Sequence, residues 1–276
     1  MKWLRYIAAL SVLTSCANSY LEPDNVEELV VEGWIESGHA PVVMVSTTLP
    51  VSSTPQPLTD IKEHILRYAE VYIDHGGERE YLTARLTDRF AIGNYFTSPT
   101  LRGEPGESYF LHVKWLDHEA SAVCTIPEPP VIDSLFLEKA VDDTSFVAKI
   151  TFRNDPSEGR FYQTFRRIGS GSKVYTAVDF TTFNGAQMDT VITETFMRPL
   201  SFVGASNMYL HPGDTVALKL ATIERPMYDF WNSFTNYYNS AGTVFSAPTN
   251  IKGNVTGAIG YWAGYGIDLR EIIIGK

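Results

Sequence analysis

The sequence contains very little cysteine: Cys16 and Cys124 are the only two among its 276 residues. The chain therefore has no disulfide framework, and its stability has to come from a hydrophobic core. Basic residues are also few, since 22 lysines and arginines stand against 32 acidic residues, for a formal net charge of −10. The average field of such a chain repels phosphate, which argues against a nucleic-acid partner.

The usual signatures of catalytic and metal sites are absent as well. None of the six histidines has a second one four residues away, and there is no Cys-x-x-Cys pair and no Gly-x-Ser-x-Gly turn. His112 and His118 bracket a predicted turn, so either a metal pair across a hairpin or a solvated histidine face fits them, and the solvated face is favoured. We predict no catalytic residue, no metal and no cofactor. A hydrolase with a composite site of two carboxylates from distant segments is the enzymatic alternative.

Long apolar runs are missing except at the N-terminus, which argues against a polytopic membrane protein. Residues 1–15 have two early basic residues, then a short apolar stretch, and they end in Leu-Thr-Ser before Cys16. This order resembles the lipobox of a bacterial lipoprotein signal peptide, in which the cysteine is acylated and the peptide is cut before it. We predict lipidation of Cys16 and a tether over residues 16–26. An ordinary secretory signal with a coincidental cysteine is the alternative.

The remainder of the chain reads as short strands rich in β-branched and aromatic residues, separated by glycine and proline turns. Three of the four positions from 127 to 130 are proline, so we place a junction at residues 127–133. We predict an all-β fold with one notable helix and two β-sandwich-like domains in tandem. The first, immunoglobulin-like domain covers residues 27–126, and a second β-rich domain covers residues 134–276.

Two local patterns in the first half carry specific expectations. The residues from 74 to 77, Asp-His-Gly-Gly, are typical of a hairpin turn. Alternation in residues 108–115 places His112 and Lys114 on the opposite face from the more apolar set. Cys124 lies in a strand-like run, where we expect a small buried hydrophobe rather than a nucleophile.

One amphipathic helix is predicted at about residues 223–241. We expect Pro226 in its first turn and Thr222 as a possible cap. The apolar positions recur at helical spacing, and this face is expected to pack on a sheet. They are Met227, Phe230, Trp231, Phe234 and Tyr238.

Aromatic side chains are the remaining candidates for ligand binding. Trp231, Tyr237, Trp262 and Tyr265 are candidates for a platform on which a carbohydrate or peptide ligand stacks. The alternative is that most of them lie in the core and one or two are exposed. Trp262 and Tyr265 belong to residues 257–266, where glycines interleave with aromatics, and we expect close backbone approach there.

Several segments, taken in order, resemble a known family. After the lipobox come Glu28–Ile35, Ala69–Asp74, Phe183–Gly185 and Ser246–Ile251, and the chain closes with the glycine-aromatic end. Together these segments resemble the domain-of-unknown-function family number 4249 of outer-membrane lipoproteins from Bacteroidetes. The resemblance covers nearly the whole mature chain.

The resemblance implies a cellular role but no chemistry. Members commonly occur beside TonB-dependent outer-membrane receptors, which suggests nutrient capture or uptake, and no catalytic residues come with the family. Surface-exported lipoproteins of this phylum often carry an acidic stretch after the lipidated cysteine, whereas only Glu22 and Asp24 stand there in this chain. The leaflet is therefore open between the periplasm and the cell surface, with the surface favoured.

We thus predict a non-enzymatic, lipid-anchored accessory or ligand-binding protein of the outer membrane that works with a TonB-dependent nutrient transporter. A structural or adhesive surface protein is the second hypothesis, because sandwich domains with exposed edges can polymerise by strand addition. The hydrolase is the third.

Overall fold

The structure is a computed structural model that describes residues 27–48, 64–87, 93–169, 175–198, 208–240 and 250–275. The predicted signal peptide, Cys16 and the predicted tether up to residue 26 lie outside the described residues. Lipidation of Cys16 therefore stays a prediction.

Most of the described residues form β-strands, and the predicted all-β class with one notable helix is confirmed. The helix, α1, spans Arg225–Ser240, and single 3-10 turns lie at Pro156–Glu158 and Gly185–Gln187. The strands β1 to β15 are, in chain order, Leu29–Glu36, Val42–Thr47, Glu70–His75, Glu78–Tyr81, Thr83–Leu86, Asn94–Thr97, Ser108–Trp115, His118–Thr125, Ile132–Lys139, Phe146–Arg153, Phe161–Ile168, Thr176–Asn184, Val191–Phe196, Thr215–Ile223 and Ile259–Ile273.

Within the described residues the strands form three sheets. The large sheet has eight strands in the order β12-β11-β14-β15-β1-β2-β6-β5. A four-stranded sheet has the order β4-β3-β7-β8, and a three-stranded sheet has the order β13-β10-β9. The paired strands are antiparallel except for β1 and β15, which run parallel.

The long strand β15 joins the two halves of the chain. Its first part, Ile259–Tyr265, pairs with β1, and its second part, Tyr265–Ile273, pairs with β14 on the other side. The large sheet therefore continues across the predicted junction at residues 127–133. Two self-contained sandwiches in tandem, the first immunoglobulin-like, are not confirmed, because a strand from the C-terminal end adds to the sheet of residues 27–126.

Two cores lie on the same side of the large sheet's strands, one under each smaller sheet. The first core lies between the four-stranded sheet and strands β1, β2 and β6, and the second lies between the three-stranded sheet and strands β11 and β14. Full burial of one large apolar side chain stabilises a fold by roughly 1.5–3 kcal/mol. Fully or almost fully buried members include Ile35, Ile73, Leu111 and Trp262 in the first core and Ile150, Phe152, Phe196 and Leu218 in the second.

Helix α1 follows β14 after one residue. Pro226 lies in the first turn, as expected, and the backbone carbonyl of Glu224 accepts the first helical hydrogen bonds. Thr222 is not the cap, because it belongs to β14 and is buried in the sheet. The prediction of a Thr222 cap was wrong because the strand extends to Ile223, which leaves Thr222 too early to cap the helix.

The apolar face of α1 packs on the side of the large sheet opposite the two cores. Met227 and Phe230 are buried there against Ala221, Ala263 and Tyr265. This packing confirms that the helix lies on a sheet. Among the described residues, no helix is long and apolar enough to cross a membrane.

Cys124 lies in the first core and is 1% exposed, which confirms the expected small buried hydrophobe. Burial raises the pKa of its thiol well above the ordinary value, and the nearby Glu224 carboxyl adds to this effect. A thiolate is the reactive form of cysteine, so this environment keeps Cys124 unreactive.

Candidate functional site

The predicted aromatic platform is not assembled, because Trp262 faces the first core. Its side chain is 0% exposed, and the indole N–H donates to the backbone carbonyl of Tyr109 at 2.9 Å. The ring packs against Gly33, its register partner on β1, where a β-carbon would lie 2.8 Å from the indole. We therefore correct its assignment: Trp262 is a core residue and presents no surface to a ligand.

The other three platform candidates lie on or beneath α1. Tyr265 is 4% exposed and packs with Trp231 in the cluster between α1 and the large sheet. Burial raises the pKa of the Tyr265 hydroxyl well above its ordinary value. Tyr237 is 49% exposed on the helix. Trp231 and Tyr265 therefore lie together between α1 and the sheet, and Tyr237 lies at the surface. Trp262 lies on the opposite side of the sheet.

A different set of candidate side chains lies on the four-stranded sheet. Alternate residues of β3, β7 and β8 fill the first core, so the residues between them point away from it. We call this solvent-facing side the outer face. Its residues include Glu70, Tyr72, Asp74, Arg79, Tyr81, Phe110, His112, Lys114, Glu119, Ser121 and Val123.

Three side chains from neighbouring strands form a stack on the outer face. The Arg79 guanidinium lies 4.0 Å from the centroid of the Tyr72 ring. The His112 ring stacks on Tyr72 with centroids 4.7 Å apart and an interplanar angle of 14°. Because β3 lies between β4 and β7, Arg79 and His112 approach Tyr72 from opposite sides.

The Asp74 carboxylate lies next to both Arg79 and His112, the two outer members of this stack. Its carboxylate accepts two hydrogen bonds from Arg79, at 2.8 and 2.9 Å, and one oxygen lies 3.5 Å from Nε2 of His112. The hydrogen bond from Arg79 holds the pKa of Asp74 below its ordinary value, so Asp74 stays ionised. The stacking on Tyr72, with the Asp74 carboxylate beside it, orients the His112 ring before any ligand arrives.

A cavity of about 310 Å³ lies beside the stack. His112 faces Ser121 in the register of β7 and β8, and the small serine leaves open space next to the imidazole. Two backbone hydrogen bonds between Ser121 and Thr256, of 3.0 and 2.8 Å, cover the edge of β8 at this point. The cavity is lined by Glu70, Tyr72, His112, Val113, Lys114, Glu119, Ala120, Ser121 and Thr256.

The charged groups of the cavity include both signs. Nζ of Lys114 lies 2.9 Å from a carboxylate oxygen of Glu119, and Glu70 stands opposite Lys114 in the β3–β7 register. The hydrogen bond between Lys114 and Glu119 raises the pKa of the lysine and lowers that of the glutamate. Both groups are therefore charged at neutral pH, and the lining has one more carboxylate than ammonium groups.

The two histidines considered as a metal pair lie on opposite faces of the hairpin. His118 pairs with Trp115 and stacks on it at 5.8 Å, whereas His112 belongs to the outer face. The metal-pair alternative is therefore wrong, since residues 112 and 115 of a strand point to opposite sides. In the part of the chain that the structure describes, no three His, Cys, Asp or Glu side chains are placed to share a metal ion.

A buried ion pair connects the two halves of the large sheet. The ammonium of Lys219 on β14 pairs with a carboxylate oxygen of Glu36 on β1, across β15. The two side chains are 7% and 13% exposed. The Lys219 ammonium also lies 4.7 Å from the ring centroids of both Phe165 and Tyr175. This cluster supports the sheet and is closed to an outside ligand.

Glu194 is a partly buried carboxyl on the three-stranded sheet. It lies on the same face of β13 as the buried residues Ile192 and Phe196, and so points towards the second core. Burial raises the pKa of its carboxyl from 4.5 to about 7. The folded state therefore keeps this proton over a pH range in which the unfolded chain has lost it.

The contribution of Glu194 to the stability of the protein is expected to fall as the pH rises from about 4.5 to about 7, because the folded state favours the protonated carboxyl and loses that advantage when the carboxyl ionises. Glu194→Gln should remove this component, so its stability advantage over the wild type grows across this range and levels off above it. Partial exposure limits the advantage to on the order of 1 kcal/mol. Urea unfolding between pH 4.5 and 8 measures it. The exposed Glu107→Gln serves as the control, and an equal pH dependence of the two variants would contradict the prediction.

In the described residues these features define a mostly β, sandwich-like protein with a sheet-bound helix and a polar cavity on an exposed sheet face. Residues 19–270 match the family described as "Domain of unknown function (DUF4249)", and the chain belongs to this family. No curated protein matches the chain. A solved structure titled "Cytokine receptor complex - Crystal form 2" is similar at 9% identity, over 71% of this chain and 91% of that chain, with a TM-score of 0.25. A likeness at that score supports no conclusion about fold or function.

Proposed function

We propose that this protein is a non-enzymatic, lipid-anchored ligand-binding protein of the bacterial outer membrane, and that it serves as an accessory to a TonB-dependent nutrient transporter. The observation that carries the binding role is the cavity on the outer face, in which aromatic and charged side chains from three strands converge. A binding site needs groups that are oriented in advance, because ordering them on binding reduces affinity. The hydrogen bonds from Arg79 to Asp74 and the stacking of Arg79 and His112 on Tyr72 supply that order.

The same residues suggest a hydrolase of a different kind from the predicted two-carboxylate alternative. Ser121, His112 and Asp74 follow one another across β8, β7 and β3, and they are the residue types of a hydrolytic triad. However, Arg79 engages both oxygens of Asp74, and no hydrogen bond connects Ser121 to His112 among the described residues. The non-enzymatic role is therefore the better supported one. A hydrolase of this triad type requires hydrolysis of p-nitrophenyl acetate that Ser121→Ala abolishes.

The proposed lipid anchor supports the accessory role because it keeps the protein concentrated at the membrane that holds the transporter. Each buried methylene of an acyl chain contributes about 0.8 kcal/mol to membrane binding, so two or three chains make the attachment effectively permanent. Confinement to the membrane raises the effective concentration of the binding face near a transporter. A captured nutrient could then be passed on without dilution into the medium.

The anchor and the partner can be tested together with the full chain expressed in a Bacteroidetes host. The wild type is expected to enter the detergent phase of Triton X-114 and to retain a TonB-dependent receptor when purified from outer membranes in mild detergent. Cys16→Ala should move the protein to the aqueous phase and lose the receptor. Cys124→Ala is the matched control, because that cysteine is buried in the first core and should leave the anchoring unchanged.

Two outcomes would contradict the proposal. One is a wild-type protein that stays in the aqueous phase, and the other is an anchored protein that recovers no receptor. Polymers of the chain in the same preparation would instead favour the structural or adhesive alternative.

A further inference from the structure

Provided that the protein binds a ligand as proposed above, we infer that the cavity on the outer face takes a neutral carbohydrate. A sugar ring stacks on the exposed face of His112, and its hydroxyl groups bond to Lys114 and Glu119. The stack, the charges and the covered strand edge each support this ligand class.

The stack of Arg79, Tyr72 and His112 ends at the cavity. Arg79 and His112 cover the two faces of Tyr72, so the next position in the stack lies beyond His112, above β8. Ser121 stands there in register and fills little of the space. A flat group with an apolar face can occupy this fourth layer, and a pyranose ring presents such a face through its C–H groups.

The charges beside that layer suit neighbouring hydroxyl groups. Lys114 and Glu119 lie 2.9 Å apart, so an ammonium donor and a carboxylate acceptor are presented side by side. Of two adjacent sugar hydroxyls, one can accept from Lys114 while the other donates to Glu119. Glu70 adds a second carboxylate near Lys114, so no uncompensated cation remains to favour a phosphate or a carboxylate ligand.

The covered edge of β8 argues against a peptide. Peptides commonly bind to sheets by adding a strand to an open edge through backbone hydrogen bonds. At this cavity the N–H and C=O of Ser121 are already bonded to Thr256. A volume of about 310 Å³ is also at the lower end for ligand sites, so the cavity accommodates one sugar unit of a longer carbohydrate but little of an extended peptide.

Native affinity electrophoresis of the full chain tests the inference. The gels contain one of four neutral polysaccharides (laminarin, mannan, xylan or dextran), polygalacturonate as an anionic polymer, or no polymer. We expect at least one neutral polysaccharide to slow the wild type and polygalacturonate to have no effect. His112→Ala should weaken the apparent affinity at least tenfold, because the stacking surface is lost.

A matched pair of tryptophan substitutions locates the site. Ser121→Trp fills the fourth layer with an indole and is expected to abolish the retardation. Val123→Trp lies two residues further along the same strand and face, outside the cavity lining, and should be slowed like the wild type. Both positions are exposed, so both variants should fold, and far-UV circular dichroism with thermal unfolding verifies this.

The inference is overturned if none of the four neutral polysaccharides slows the wild type, if only polygalacturonate does, or if Ser121→Trp and Val123→Trp behave alike. These results leave the proposed function separately testable, because detergent partitioning and receptor recovery do not depend on the cavity. A Ser121→Trp protein that loses polysaccharide binding yet stays anchored and recovers the receptor supports both.

Discussion

Lys219→Met is expected to destabilise the folded protein by about 3–5 kcal/mol. The substitution removes the ammonium and leaves the Glu36 carboxylate, whose side chain is 13% exposed, without its partner in the sheet. A buried carboxylate without a partner has lost its hydration, and no ion pair compensates for that loss. The desolvation free energy therefore destabilises the folded state relative to the unfolded chain. Equilibrium unfolding in urea, followed by tryptophan fluorescence, measures the change.

A second substitution separates the charge from the packing. Combining Lys219→Met with Glu36→Gln removes the stranded carboxylate, so the double variant should recover much of the lost stability. Lys139→Met is the control, because Lys139 pairs with Asp143 at the surface, with side chains 65% and 89% exposed, and should change the stability by less than about 1 kcal/mol. If Lys219→Met is as mild as Lys139→Met, the ion pair does not stabilise the sheet.

Features set by neighbouring residues could be predicted from the sequence. The hairpin expected at residues 74–77 forms between β3 and β4, and the alternation that places His112 and Lys114 on one face of β7 is observed. Helix α1 is present because its apolar spacing has the helical period over several turns. In each case the pattern and its structural consequence lie within a few residues of each other.

Features that depend on which distant strands meet could not be predicted in this way. The alternating pattern of β15 does not reveal that it pairs with β1 on one side and β14 on the other. The burial of Trp262 follows from its position opposite Gly33, more than two hundred residues earlier in the chain. The cavity likewise needs the registers of β3, β7 and β8, and only the β7 part of it could be predicted from local alternation.

Gly264→Ala is expected to destabilise the protein by about 3 kcal/mol or more, although it adds a single methyl group. A β-carbon at Gly264 would lie 2.7 Å from the carbonyl carbon of Thr125 and closer still to its oxygen. Thr125 ends β8, and its backbone N–H donates to Glu224 at 2.8 Å, so the strand cannot move away without losing that bond. Relief of the clash therefore has to separate β8 from β15. Urea unfolding measures the loss.

Gly275→Ala is the matched control, because no atom lies within 4 Å of the added β-carbon and the same methyl group should change the stability by less than about 0.5 kcal/mol. Equal effects of the two substitutions would show that the protein accommodates a methyl group between residue 264 and Thr125 without strain. Because β15 belongs to the sheet of both halves, we expect the whole protein to unfold in a single transition. Gly264→Ala should move the midpoint of that transition to a lower urea concentration. If fluorescence and far-UV circular dichroism report two separate transitions, residues 27–126 and 134–276 unfold independently despite sharing that strand.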